Sequence, residues 1–163
     1  MFSQPQLQRA HQLLEAMRTR RLMLATAESC TGGLIAALIT SIPGSSDVLD
    51  RGFVTYSNTA KMQMLAVPQD VLEAHGAVSD ETARAMAEGA LANSAAQLSV
   101  SVTGVAGPGG GTDLKPVGLV HFGASLADGA TLSEKRLFGD IGRDAVREQS
   151  VTVALELAMR ALA

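Results

Sequence analysis

The chain has very few aromatic residues and a single cysteine. Of its 163 residues, four are Phe, one is Tyr and none is Trp, whereas 47% are hydrophobic. A core with this composition must be aliphatic and rich in alanine, so we expect its helices and strands to pack closely. Cys30 is the only cysteine, which excludes an intramolecular disulfide and favours a reducing, cytoplasmic location.

Long apolar runs and clusters of basic residues are also missing. The longest apolar runs fall short of the ~18 residues that span a bilayer, and residues 1–6 lack the charged and apolar regions of a signal peptide. The formal net charge of −3 and the pI near 5.5 argue against a nucleic-acid-binding surface. We expect one domain over residues 1–163, with neither a membrane nor a nucleic acid as partner.

The hydrophobic pattern alternates between strand-like and helix-like segments. It predicts strands from about residue 22 and at residues 52–56, 98–102, 117–125 and 131–138. It predicts helices at about residues 6–20, 60–65 and 69–74, and from about residues 34, 80 and 143. Asp128-Gly129 is typical of a hairpin turn. The order of these elements indicates the α/β class, as a three-layer α/β/α sandwich with a mixed sheet.

Two of these strands are followed by glycine-containing turns that carry hydroxyl side chains. Ser29 and Thr31 precede Gly32-Gly33 at the start of the second helix, and Thr103 precedes Gly104 after a later strand. Because ligands of open α/β sheets bind at the carboxyl ends of strands, we expect both turns to line one crevice. The unpaired N–H groups that begin the second helix are predicted to face the ligand. Alternatively, the two hydroxyls only cap that helix.

Tyr56 and Lys61 flank the end of the second predicted strand. A serine nucleophile needs a base, and a lysine shielded from water can be neutral near pH 7 and serve as one. The alternatives are that Lys61 is a solvated surface charge and that Tyr56 belongs to the core. Cys30, beside Ser29, is the rival nucleophile, although most lone cysteines are buried and inert.

A glycine-rich loop over residues 104–113 is the third candidate feature. Ordering many glycines costs backbone entropy, so such a loop suits a place where the backbone approaches a ligand, although a lid or a subunit contact would also explain it. Arg143 opens the last helix and is either an anion ligand or an exposed charge. The three histidines are isolated along the chain, so we expect no metal site.

Four segments, in this order, resemble the CinA C-terminal domain family. They are Thr26-Ala27-Glu28-Ser29-Cys30-Thr31-Gly32-Gly33, Val54-Thr55-Tyr56-Ser57-Asn58-Thr59-Ala60-Lys61, Gly76-Ala77-Val78-Ser79 and Thr103-Gly104-Val105-Ala106-Gly107-Pro108-Gly109-Gly110-Gly111-Thr112. The similarity extends from about Gln6 to the end of the chain. Larger CinA proteins carry an additional N-terminal domain, so the resemblance leads us to expect the stand-alone form.

The enzymatic members of that family are nicotinamide mononucleotide deamidases. The resemblance implies hydrolysis of the carboxamide to nicotinic acid mononucleotide and ammonia, in pyridine nucleotide salvage, by a homodimer or higher homo-oligomer. It implies Ser29 as the nucleophile, with Lys61 and Tyr56 as catalytic partners. We expect no cofactor, and we expect the substrate to contact Cys30, Thr31, Gly32, Gly33, Thr103, Gly104 and Arg143. A non-catalytic nucleotide-binding module and an amidase for another carboxamide are the alternatives.

Overall fold

A five-stranded mixed sheet organises the fold of residues 2–163, which the computed structural model describes. Its strands are β1 (Leu24–Glu28), β2 (Leu49–Val54), β3 (Leu98–Gly104), β4 (Leu119–Leu126) and β5 (Leu132–Leu137). They lie in the order β2-β1-β3-β4-β5. β1 runs parallel to β2 and β3, while β4 is antiparallel to β3 and β5. This confirms the predicted α/β class and the mixed sheet.

Six helices cover the two faces of the sheet and complete the three layers. They are α1 (Gln4–Arg20), α2 (Leu34–Thr40), α3 (Asn58–Leu65), α4 (Gln69–His75), α5 (Asp80–Ala92) and α6 (Arg143–Leu162), with a short 3-10 helix at Ser45–Asp47. α1, α2 and α6 form the larger core with one face, and α3, α4 and α5 form the smaller core with the other. None of the helices within residues 2–163 is both long and apolar enough to cross a membrane.

Several strand boundaries differ from the sequence prediction by a few residues, including the start of β2 at Leu49 and the end of β3 at Gly104. β1 begins at Leu24 rather than near Leu22, because the Leu22 N–H bonds to the Met17 carbonyl at the end of α1. β2 ends at Val54, so Tyr56 lies beyond the strand in a loop. β4 begins two residues after the predicted start, because Gly118 turns the backbone with a φ of 88°.

Small residues let α5 pack very closely on its neighbours. A Cβ atom at Gly89 of α5 would lie 1.9 Å from the carbonyl oxygen of Leu65, the last residue of α3. On the sheet side, the hydroxyls of Ser99 and Ser101 donate to the α5 carbonyls of Ala87 and Ala83 at 2.6 and 2.5 Å. α5 therefore fixes the position of α3 relative to the sheet, as expected for a core poor in aromatic side chains.

The contact at Gly89 gives a prediction about stability. We expect Gly89→Ala to lower the free energy of unfolding by about 2 kcal/mol, because overpacking against Leu65 outweighs the ~1 kcal/mol that alanine gains in helix propensity. Urea denaturation measures this change. Gly129→Ala is the control, since its nearest neighbouring atom would be 3.5 Å away. Equal free energies of unfolding for the two variants would contradict the close packing of α3 and α5.

Candidate active site

Ser29 and Lys61, predicted as nucleophile and base, are in direct contact. Lys61 Nζ lies 3.0 Å from Ser29 Oγ. Ser29 directly follows β1, where its N–H donates to the Val102 carbonyl of β3. Lys61 reaches the serine from α3, and its amine also donates to the Thr55 carbonyl at 2.9 Å. The neighbouring ends of β1, β2 and β3 thus bring a hydroxyl and an amine together.

The environment of Lys61 favours its neutral form. Only 1% of the residue is exposed, which rules out the alternative of a solvated surface charge. Burial lowers the pKa of Lys61 below its ordinary value. A neutral amine has a lone pair that can accept the Ser29 proton. The contact therefore has the geometry and the electrostatics of a serine–lysine pair.

The site lines a crevice of about 290 Å³ at the carboxyl ends of the parallel strands. Its lining residues are Ser29, Cys30, Tyr56, Lys61, Ala77, Val78, Thr103, Gly104, Val105, Ala106, Gly107, Gly109, Gly110 and Arg143. Ser29 and Thr103, from the two predicted turns, therefore do share one crevice. A larger cavity of about 440 Å³ beside α6 and β5 is lined by no lysine, serine or cysteine.

Thr103 fixes one wall of this crevice. Its hydroxyl donates to the Ala77 carbonyl at 2.7 Å, and so joins the end of β3 to the segment that precedes α5. Ala77, Val78, Val105 and Ala106 are apolar residues that line the crevice. Such walls suit a flat ring more than a charged group.

Tyr56 and Arg143 lie together at the rim of the crevice. Arg143 Nη2 donates to the Tyr56 hydroxyl at 2.8 Å, and Nη1 donates to the Gly107 carbonyl at 2.7 Å. Tyr56 is 61% exposed, so it does not belong to the core. Lys61 is oriented by the Thr55 carbonyl, whereas Tyr56 is bound to the arginine. Tyr56 and Arg143 are placed to meet a part of the ligand outside the serine–lysine pair.

The start of α2 is occupied by a side chain of the protein itself. Glu28, the last residue of β1, is completely buried. Its Oε2 accepts hydrogen bonds from Thr31 Oγ1 at 2.7 Å and from the N–H groups of Gly33 and Ile35 at 3.1 and 3.0 Å. Its Oε1 accepts from the Ala36 N–H at 2.9 Å. The N–H groups at the start of α2 are therefore already bound to a carboxylate and are not available to a ligand.

This arrangement corrects part of the sequence prediction. Thr31 is completely buried and bound to Glu28, and neither Thr31 nor Gly32-Gly33 lines the crevice. The two glycines instead turn the chain, with φ values of 61° and 104°. The signal for Glu28 was present in the sequence, as an acidic residue between an apolar strand and a helix without a side-chain N-cap.

The glycine-rich loop supplies free donors on the other side of the crevice. Within residues 2–163, no hydrogen bond is donated by the N–H groups of Ala106, Gly107, Gly109 and Gly110. All four residues line the crevice. An anion bound here would meet these amides and the Arg143 guanidinium. In the same part of the chain, no three His, Cys, Asp or Glu side chains are grouped so as to hold a metal ion.

Cys30 is a poor nucleophile in this structure. The residue is 5% exposed, and burial raises the pKa of its thiol to about 12. Because the thiolate is the reactive form of cysteine, the side chain is inert near neutral pH. Burial and protonation of the thiol favour the hydroxyl of Ser29 over Cys30 as the candidate nucleophile.

The state of Cys30 can be tested by thiol labelling. We expect 5,5′-dithiobis(2-nitrobenzoic acid) to react slowly with the native protein at neutral pH and rapidly after unfolding in urea, because the thiol is buried and protonated. Absorbance of the released thionitrobenzoate measures both rates. Fast and complete labelling of the native protein would contradict the assignment of Cys30 as inert.

The lowered pKa of Lys61 gives a second prediction, on the pH dependence of stability. The unfolded chain binds more protons than the folded one between the folded pKa of Lys61 and its ordinary value of 10.5. The contribution of Lys61 to the free energy of unfolding therefore rises with pH across that range, and it is least favourable below the folded pKa. Lys61→Met removes this dependence.

Urea denaturation of wild type and Lys61→Met at several pH values isolates the effect. We expect the wild-type free energy of unfolding, relative to that of the variant, to increase as the pH rises toward 10.5. A difference that stays constant with pH would mean that Lys61 has the same pKa in both states.

The chain is similar to proteins of one family. Residues 6–162 match the family model for the CinA C-terminal domain. The CinA-like protein of Chloroherpeton thalassium is 56% identical over 113 residues, which are 69% of this chain and 27% of that protein. This chain spans about a third of the length of the curated relatives that it matches.

Two solved structures are similar over almost the whole chain. The competence/damage inducible protein CihA of Agrobacterium tumefaciens has a TM-score of 0.96 and 49% identity, covering 99% of this chain and 98% of that one. A CinA superfamily protein of Escherichia coli has a TM-score of 0.90 and 31% identity, covering 98% and 93%. The family model over residues 6–162 and these matches show that the chain belongs to the CinA C-terminal domain family.

Proposed function

We propose that this protein hydrolyses the carboxamide of nicotinamide mononucleotide to nicotinic acid mononucleotide and ammonia. The observation that supports the reaction type is the 3.0 Å contact between the buried Lys61 amine and the Ser29 hydroxyl. Burying an amine without a carboxylate partner is costly, and a module that only binds nucleotides has no need of it. The choice of substrate rests on the resemblance to the deamidases of the family.

The proposed reaction begins with proton transfer from Ser29 to neutral Lys61. Ser29 Oγ attacks the amide carbon, and the oxyanion forms near the Cys30 N–H, since the Gly32 and Gly33 N–H groups are already bound to Ser29 O and Glu28. One such donor contributes about 3 kcal/mol to the transition state. Protonated Lys61 then gives its proton to the departing ammonia, and water hydrolyses the acyl-enzyme.

The substrate phosphate is assigned to the loop side of the crevice. Arg143 is held at the rim by Tyr56 and Gly107, and the same loop carries the N–H groups of Ala106, Gly107, Gly109 and Gly110, which donate no hydrogen bond within residues 2–163. A phosphate at the start of α2 would be repelled by Glu28. The apolar walls around Val78 and Val105 suit the pyridine ring between these two ends.

Substitution of the two central residues tests the proposal. We expect Ser29→Ala to lower kcat for ammonia release from nicotinamide mononucleotide by about 10⁴-fold or more, because the nucleophile is lost. Lys61→Arg is expected to be equally inactive, since a guanidinium stays protonated and cannot act as base. A coupled ammonia assay measures both rates.

Lys135→Arg is the matched control, because Lys135 lies on β5 and does not line the crevice. It is expected to keep the wild-type rate. Ammonia release from Ser29→Ala at the wild-type rate would remove the serine from the mechanism. Wild-type protein that binds the nucleotide without releasing ammonia would indicate the non-catalytic module, and release only from another carboxamide would indicate a different amidase.

A further inference from the structure

We propose that Glu28 is a positioning residue that sets the geometry of the Ser29–Lys61 pair, an inference that rests on the proposed function of that pair. Glu28 immediately precedes Ser29 and is completely buried, yet it does not line the crevice. It therefore acts on the reaction through the residues that it holds and not through the substrate.

The carboxylate of Glu28 fixes the turn that follows the nucleophile. Its four donors are Thr31, Gly33, Ile35 and Ala36, so the hydrogen bonds span the turn and the first residues of α2. In the chain, Ser29 lies between Glu28 and the segment whose N–H groups the Glu28 carboxylate binds. A displacement of the Ser29 backbone therefore strains the hydrogen bonds that hold the turn.

The backbone of Glu28 is connected through Thr55 to Lys61. Its carbonyl accepts a hydrogen bond from the Thr55 N–H at 2.8 Å, and the Thr55 carbonyl in turn accepts from Lys61 Nζ at 2.9 Å. One residue thus anchors the nucleophile through its side chain and the base through its main chain. The 3.0 Å distance between Ser29 and Lys61 depends on both connections.

A carboxylate is the one side-chain group that satisfies all four donors. It offers only acceptors, whereas the amide of glutamine has one oxygen and one NH₂ group. In Glu28→Gln, the side-chain oxygen can take the place of Oε2. The NH₂ group then takes the place of Oε1, which now accepts from the Ala36 N–H at 2.9 Å. Two donors would then face each other in a buried space, and the turn must shift.

Kinetics and covalent labelling of Glu28→Gln test the inference. We expect kcat to fall about 100-fold, because small displacements of reacting groups cost this much, while KM changes by less than about threefold, since Glu28 does not contact the substrate. Labelling of Ser29 by phenylmethylsulfonyl fluoride, followed by mass spectrometry, is expected to slow by a similar factor. This probe reports on the serine without the nucleotide.

Two further variants separate positioning from a general loss of stability. Ser3→Ala removes the N-cap of α1, far along the chain from the crevice; it is expected to lower Tm while leaving kcat and labelling unchanged. Thr31→Val removes one donor and keeps the Glu28 charge, so we expect a smaller loss of kcat and labelling than in Glu28→Gln. If Glu28→Gln does not fold, Thr31→Val decides the question.

The outcomes distinguish this inference from the proposed substrate. Wild-type kcat and labelling in a folded Glu28→Gln or Thr31→Val variant would overturn the positioning role, as would an equal loss in Ser3→Ala. If wild-type Ser29 is labelled but nicotinamide mononucleotide is not hydrolysed, the substrate is wrong while the labelling comparison still tests Glu28. If wild-type Ser29 is not labelled at all, no activated serine exists and both proposals fail.

Discussion

The contact between a desolvated amine and a serine hydroxyl is the interaction on which the rest of the site depends. Lys61 loses its hydration in the folded protein and receives only a hydroxyl and a carbonyl in return. The packing of α3 must stabilise this arrangement from outside the crevice. It does so through α5, which approaches α3 closely at Gly89 and is itself bound to the sheet through serine hydroxyls. The low aromatic content of the chain is consistent with this kind of close packing.

The end of β1 positions Ser29 next to Lys61. Parallel pairing with β2 and β3 brings Thr55, Ser29 and Thr103 to one edge of the sheet. An acidic residue at this edge occupies the N–H groups at the start of α2, whereas the N–H groups of Ala106, Gly107, Gly109 and Gly110 donate no hydrogen bond within residues 2–163. Several lining residues of the crevice therefore carry unpaired N–H groups, whereas the carboxylate that precedes the nucleophile is buried outside the lining.

Local patterns predicted the elements well and the electrostatics of the site less completely. The helices that begin near residues 80 and 143 and the strand–turn–helix around Ser29 follow from periodicity, and the structure confirms them. The burial of Lys61 depends on long-range packing between α3 and α5, which periodicity does not report. The sequence pattern did not predict the occupation of the α2 start by Glu28, because it shows which N–H groups are free but not which neighbouring side chain reaches them.

The titration of Lys61 is the most direct test of this account. The chain has only three lysines, so nuclear magnetic resonance of 13Cε-labelled lysine can follow each one, with Lys61→Arg identifying the signal of interest. We predict a midpoint for Lys61 clearly below the ordinary lysine pKa of 10.5, because the folded protein disfavours its charged form. A midpoint at or above 10.5 would show that the amine stays protonated, and it would contradict the role of Lys61 as base.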